Sequence, residues 1–296
     1  MPLPYTPTQV DGRKVADSNE LRVLKALRLF GHLRRPEISM AAWPKSSSKS
    51  AYIMACRTVT RMLERGLILS KPNSLGGTSL VLAAKGVARL RDMDLIAQEG
   101  YDLAFDGPQF FHRTLGTNYL LEKARHGNEV FGEFSILKGW APVSRDELRD
   151  RFQKIPDGLI TYTKDSMGFA GGIRPADWIE VESAYKPYEE LKKVLSILTK
   201  NSSLNKDGSV GLHKLVFVFD GRQRHERQIL RAIRRFLKDN PNLSPELVLP
   251  EIILAKCFID IPFAWHGTIE ATAYDLLNAP NQDFSDLDAA DESVDQ

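Results

Sequence analysis

The sequence predicts a mixed α/β protein, α+β in its overall order, with two domains. Three observations carry this. Residues 17–92 read as three helices, a strand–turn–strand and a fourth helix. Residues 109–278 alternate helical and extended patterns in the order α-β-β-β-α-β-α-β. The stretch between them, 93–108, lacks sustained periodicity and reads as a linker. At 296 residues and 43% hydrophobic content the chain has room for two cores. Residues 279–296 form an acidic tail with the composition of a disordered segment.

In the first domain, Asp17 or Ser18 is placed to cap a helix whose apolar stripe is Leu21, Val23, Leu24, Leu27 and Leu29, ended by Gly31. Pro36 and Glu37 open a second helix that stops near Trp43. Ser46–Ser48 form an N-cap region for a third, running to Glu64 with Gly66 as its stop. Its predicted buried stripe is Ile53, Cys56, Val59 (or Thr60) and Leu63, with Lys49, Arg57 and Arg61 on the other side. A hairpin turning at Asn73–Gly77 and a helix from Ala84 complete the unit. Three helices followed by a hairpin is the winged helix-turn-helix order, in which the third helix enters a DNA major groove. Lys45, Ser47, Lys49, Arg57 and Arg61 are the expected contacts, with Lys71 near the wing. The blander alternative is a protein-contact module whose basic residues are simply solvated.

Charge points the same way. Residues 1–100 hold 16 basic and 8 acidic side chains, whereas the last sixteen residues hold six acids and no Lys or Arg. A basic first third suggests a polyanionic partner, here double-stranded DNA. No apolar run is long enough to span a bilayer and no signal-peptide pattern opens the chain, so a soluble, cytoplasmic protein without a membrane partner is expected. Cys56 and Cys257 have no metal-like spacing and read as two reduced thiols.

The second domain is organised around Ile155–Lys193. A strand begins at Asp157, a glycine-rich hairpin follows, and a second strand reads DWIEVE. Residues two apart in a strand share a face, so Trp178, Glu180 and Glu182 point one way and Ile179 and Val181 the other. Buried carboxylates need compensation, and a hard divalent cation, Mg²⁺ or Mn²⁺, takes such oxygens. After Pro187 the pattern turns helical, with Leu191, Val194, Leu195 and Leu198 on one stripe. Two further carboxylates are candidate ligands: Glu122 on the preceding helix, and Glu133 on a strand read through EVFGEFSI. HKLVFVFD reads as a buried strand, and residues 221–240 as a strongly basic helix whose Arg224, Arg227 and Arg231 suit a DNA backbone. PELVLPEIILAKCFIDI supplies the last strand.

The order P-D, then E-x-E, resembles the PD-(D/E)xK nuclease core. The third position, usually lysine, is Glu182 here, and Lys186 can bring an ammonium from the start of the helix. RMLERGLI, AAKGVARL, FFHRTLGTNYLLE and PDG…WIEVE…K together resemble the replication-relaxation proteins, which include atypical plasmid mobilisation relaxases. The likeness runs from about Asp17 to Asp260, on short motifs. It implies a winged helix fused to a PD-(D/E)xK-like domain that processes an origin of transfer or replication with other mobilisation or replication proteins. By that likeness Asp157 and Glu180 match the acidic pair, Glu182 the second acidic strand position, and His112 a histidine at the helix start. The sequence has no His-x-His cluster, which argues against a conventional tyrosine relaxase. Tyr162, Tyr185 and Tyr188 lie near the acids, so a tyrosine–DNA adduct stays open. The alternative function is a non-catalytic replication or transfer factor or transcriptional regulator, its nuclease fold serving dimerisation or partner docking.

Overall fold

The computed structural model describes residues 11–73, 77–100, 107–162, 172–200, 203–221, 223–260 and 264–279. The chain divides into two compact units, Met1–Leu103 and Ala104–Gln296. Residues 1–10, the expected acidic tail from residue 280, the glycine-rich hairpin tip and Arg222 lie outside the described residues, as does part of the expected linker.

In the first unit, α1 (Gly12–Phe30) starts from Asp11, whose carboxylate accepts from the Arg13 amide at 2.9 Å. The helix therefore begins well before Asp17, and buries Val23, Leu24, Ala26, Leu27 and Phe30. A short β1 (His32–Leu33) leads to α2 (Arg35–Ala42), with Pro36 in its first turn and Glu37 accepting from the Arg34 amide at 2.7 Å. The third helix, α3 (Ser48–Glu64), is capped by Ser47 and followed by Gly66 at φ 67°, a left-handed conformation glycine adopts without strain. Its buried face is Ala51, Ala55, Thr58, Val59 and Met62, whereas Ile53 is 42% exposed. The stripe is rotated from the predicted one because small residues let α3 pack closely.

Strands β2 (Ile68–Pro72) and β3 (Thr78–Leu82) pair antiparallel in the sheet order β1-β3-β2. Asn73 closes their turn, its amide donating to the Gly77 carbonyl at 2.9 Å and its Oδ1 accepting from the Gly77 amide at 3.1 Å. In α4 (Ala84–Arg91), a Cβ at Gly86 would meet the Leu67 carbonyl oxygen at 2.2 Å, so only glycine lets this helix lie on the backbone just ahead of β2.

The second unit begins with α5 (Gly107–Arg125), then β4 (Glu129–Gly132), α6 (Glu133–Leu137), α7 (Arg145–Phe152), β5 (Gly158–Thr161) and β6 (Arg174–Glu182). It continues with α8 (Tyr188–Leu195), β7 (Val210–Asp220), α9 (Gln223–Asp239), α10 (Pro245–Val248), β8 (Ile252–Asp260), β9 (Ala264–Thr272) and α11 (Ala273–Leu277). The six strands form one mixed sheet in the order β4-β5-β6-β7-β8-β9. β6, β7 and β8 are parallel and the other neighbours antiparallel.

One face of β6 and β7 gives Trp178, Phe217 and Phe219 to a core with Phe152 of α7, Leu191 and Leu195 of α8, and Ile229 and Ile233 of α9. α5 packs against β5, β6, β7 and β9. Two sequence readings are corrected. The strand read through Phe134 stops at Gly132, and Glu133 opens a helix. The last strand is followed by a further one, β9, whose side chains are all half-buried or exposed and so give no apolar signature. Among the described residues no helix is long and apolar enough to cross a membrane.

Candidate active site

The acids meet where β4, β5 and β6 end side by side. Gly158 pairs with Ile179 across β5 and β6, and the Asp157 amide donates to the Ile179 carbonyl at 3.0 Å. Extending that register by one residue places Asp157 opposite Glu180, on the same face. The Glu133 amide donates to the Asp157 carbonyl at 3.0 Å, so Glu133 continues the row on the other side.

Each carboxylate is held by specific donors. Asp157 Oδ2 accepts from the Val181 amide at 2.7 Å, and Oδ1 lies 3.1 Å from His112 Nε2. The other ring nitrogen of His112 is 3.1 Å from Ser183 Oγ, so α5 and the end of β6 fix the imidazole between them. Glu180 is fully buried: Oε1 accepts from Trp178 Nε1 at 2.7 Å, while Oε2 receives no well-aligned hydrogen bond and has the Lys154 ammonium 2.9 Å away. Glu182 pairs with Lys186 at 2.8 Å, and that ammonium also lies 3.5 Å from the Val181 carbonyl.

These charges shift one another. Burial and then the Asp157 charge push the Glu180 carboxyl up to about 7, against the pull of Lys154 and Lys186. Burial also raises Glu182, partly offset by Lys186. Burial would raise Asp157 too, but its hydrogen bond and ion pair with His112 and the Val181 amide outweigh this and lower it. His112 moves up: burial works against its charge, and Asp157 overcomes that. Lys154 likewise ends above its usual value, burial being outweighed by Glu180.

Beside Asp157 opens a cavity of about 270 Å³ lined by Gln109, His112, Arg113, Glu133, Asp157 and Ser183. Glu133 borders it while pairing with Arg113 at 3.0 Å. Glu122 belongs elsewhere: its Oε2 accepts from Trp265 Nε1 at 2.8 Å and Thr268 Oγ1 at 3.0 Å, tying α5 to β9. The sequence reading missed Gln109, Arg113 and Ser183 of the cavity wall, and Lys154. The signal for the last of these was the lysine three residues ahead of Asp157, which follows from asking what neutralises two buried acids.

The donor set is hard oxygen, which suits Mg²⁺ or Mn²⁺. Asp157 and Glu180 lie opposite each other by extension of the strand register, and the oxygen of Glu180 that lacks a hydrogen bond faces the Lys154 ammonium at 2.9 Å. The residues thus fit a divalent cation in kind, provided Lys154 swings away. As they stand, the described residues include no group of three His, Cys, Asp or Glu side chains arranged to hold one.

The tyrosines divide. The Tyr162 hydroxyl donates to Asp177, and burial with that acid raises its pKa. Tyr188 donates to Asp239 at 2.7 Å and is raised by burial and that bond. Neither is poised as a nucleophile. Tyr185 is 74% exposed.

Of the expected DNA contacts, Lys45, Lys49, Arg57, Arg224 and Arg227 are exposed. Ser47 is exposed but its hydroxyl accepts from Ser50 in the cap. Lys71 is half-buried on β2. Arg61 is a correction: its Nε lies 2.7 Å from the buried Glu20, turning it inward to α1 instead of outward. No family model, curated protein or solved structure matches the chain.

Proposed function

We propose that the chain is a DNA-binding protein of a plasmid or mobile element that nicks one strand at an origin of transfer or replication. The first unit is read as a winged helix that recognises duplex DNA through the exposed side of α3. The second is read as a PD-(D/E)xK-like nuclease domain. The observation that carries this reading is the pair Asp157–Glu180, opposite each other by strand register, with Asp157 on the wall of an open cavity and the Lys154 ammonium against Glu180. Buried like charges destabilise a fold, and their retention together with cations is a mark of functional sites.

Asp157 and Glu180 would hold Mg²⁺ or Mn²⁺, with Glu182 and Glu133 flanking. The bound cation supplies charge neutralisation at the phosphate and an acidified water. The chain's own groups do the rest. His112 orients Asp157, with its Nε2 3.1 Å from Oδ1 and directing a proton at that oxygen. Lys154 and Lys186 keep the site near neutrality and place positive charge where a phosphate would enter. Trp178 fixes the rotamer of Glu180 from the core side.

The test is a supercoiled plasmid carrying the DNA that flanks this coding sequence, incubated with Mg²⁺, Mn²⁺ or chelator. Open circles that need the cation, and that fall at least ~100-fold with Asp157→Ala, are expected. A second reading rests on the ion pairs themselves: every site carboxylate already has a cationic partner from its own chain, as suits a non-catalytic replication or transfer factor. Salt-dependent duplex binding with no open circles under any cation would select it.

A further inference from the structure

Behind the acid cluster, α8 and α9 enclose a second, smaller cavity of about 90 Å³, walled by Tyr185, Lys186, Tyr188, Gln228, Arg231 and Arg235. Gln228 Nε2 donates to the Lys186 carbonyl, so α9 is pinned to the turn that carries Lys186. The Arg235 guanidinium lies 4.3 Å from the Tyr188 ring centroid, which stacks it in place. Tyr188 and its Asp239 partner satisfy each other. Arg231 differs: its Nε is buried and finds no acceptor. A buried guanidinium nitrogen without an acceptor is costly unless a ligand supplies one.

We infer that this cavity seats a backbone phosphate of a single DNA strand, with Arg231 as its principal ligand and Tyr185 as a stacking surface for the adjoining base. This rests on the reading of the second unit as a DNA-processing domain. The chemistry selects an anion: three cationic side chains line the space, and among the described residues the one ion pair any of them makes is that of Lys186 with Glu182. The cavity of about 90 Å³ has room for a phosphate group, and its open side lets the rest of a strand continue outside it. Arginine forks match phosphate oxygens. Tyr185, 74% exposed at the rim, offers the flat face that base stacking uses. Lys186 belongs to both places, so a phosphate held here lies one side chain away from Glu182 and Glu180.

The experiment is fluorescence anisotropy of the full chain with a fluorescein-labelled single-stranded oligonucleotide across a salt series, all in chelator. Arg231→Met, which keeps the apolar stem, is expected to weaken binding ~10-fold and to reduce the salt slope by about 0.7. Arg231→Lys should restore the slope. Tyr185→Ala should weaken binding ~10-fold with the slope unchanged. Equal affinity and slope for wild type and Arg231→Met would overturn the inference. So would inorganic phosphate binding that Arg231→Met abolishes while oligonucleotide binding stays at the wild-type level, which would mark a site for free phosphate. Because chelator blocks cutting, a chain that binds in this way but never nicks retains this site and loses the nuclease reading. A chain that nicks with an inert Arg231 does the reverse.

Discussion

Among the described residues each unit buries one glutamate completely, and the two are treated in opposite ways. Glu20, on α1, is wrapped by cations: Arg61 and Arg65 reach its Oε1 at 2.7 and 2.8 Å, and Arg65 and Arg89 reach Oε2 at 2.7 and 3.1 Å. Three arginines from α3 and α4 thus converge on one acid and bind three helices together. Glu180 has one lysine, one indole N–H, and Asp157 opposite it. A buried acid that its fold over-compensates is a staple. One placed beside a second acid and left with a single ammonium is an unstable arrangement that a ligand can complete.

The largest expected effect breaks the first half of this contrast. Glu20→Gln removes the shared anion and leaves three guanidiniums facing one another. Losing one partner of a buried pair costs about 3–5 kcal/mol. Arg61 and Arg65 can turn partly to water, since their side chains are 37% and 47% exposed. A loss of about 2–4 kcal/mol is therefore expected, read as faster amide exchange along α1, α3 and α4 with α8 and α9 unchanged.

The second prediction sharpens the other half. With the folded Glu180 raised to about 7, the folded unit binds a proton that the unfolded chain releases near 4.5. Its stability contribution is thus fully present below about 4.5 and is lost as pH climbs to 7. Glu180→Gln keeps an oxygen for Trp178 and removes the titration. Relative to wild type the variant should gain about 3 kcal/mol between pH 4.5 and 8, measured by urea denaturation followed through tryptophan fluorescence. A gain independent of pH would mean that Glu180 is as well compensated as Glu20.

The same contrast explains what could be read from the sequence. The Ser47 cap, the Asp157 strand start and the alternation of Trp178, Glu180 and Glu182 are local signals, and the residue patterns alone placed them. The rotation of α3 was not legible, because Ala51, Ala55 and Thr58 carry no apolar signature yet pack more closely than Ile53. β9 was not legible because an edge strand with one sheet neighbour needs no hydrophobic face. Glu122 and Glu133 have the same residue type, but only the fold decides that one meets Trp265 and the other Arg113. The three arginines around Glu20 share this property: ion pairs between distant elements leave no spacing rule in the chain.

The smallest effect separates two arginines one turn apart on α3. Arg57 is exposed and has no role in the Glu20 cluster, whereas Arg61 is turned into it. If α3 lies on duplex DNA, each phosphate contact adds about 0.9 to the magnitude of the salt slope. Arg57→Ala should then lower the slope by about one and leave stability within about 0.5 kcal/mol. Arg61→Ala should do the opposite. Arg65 and Arg89 still hold Glu20, and the lost pair is part-exposed, so the cost stays near 0.5–1 kcal/mol, with the slope unmoved. Titrating both variants against duplex DNA across a salt series, with thermal melts in parallel, checks the two together. A slope change from Arg61→Ala would place its guanidinium on the phosphate backbone, and Glu20 would then be held by two arginines instead of three when DNA is bound.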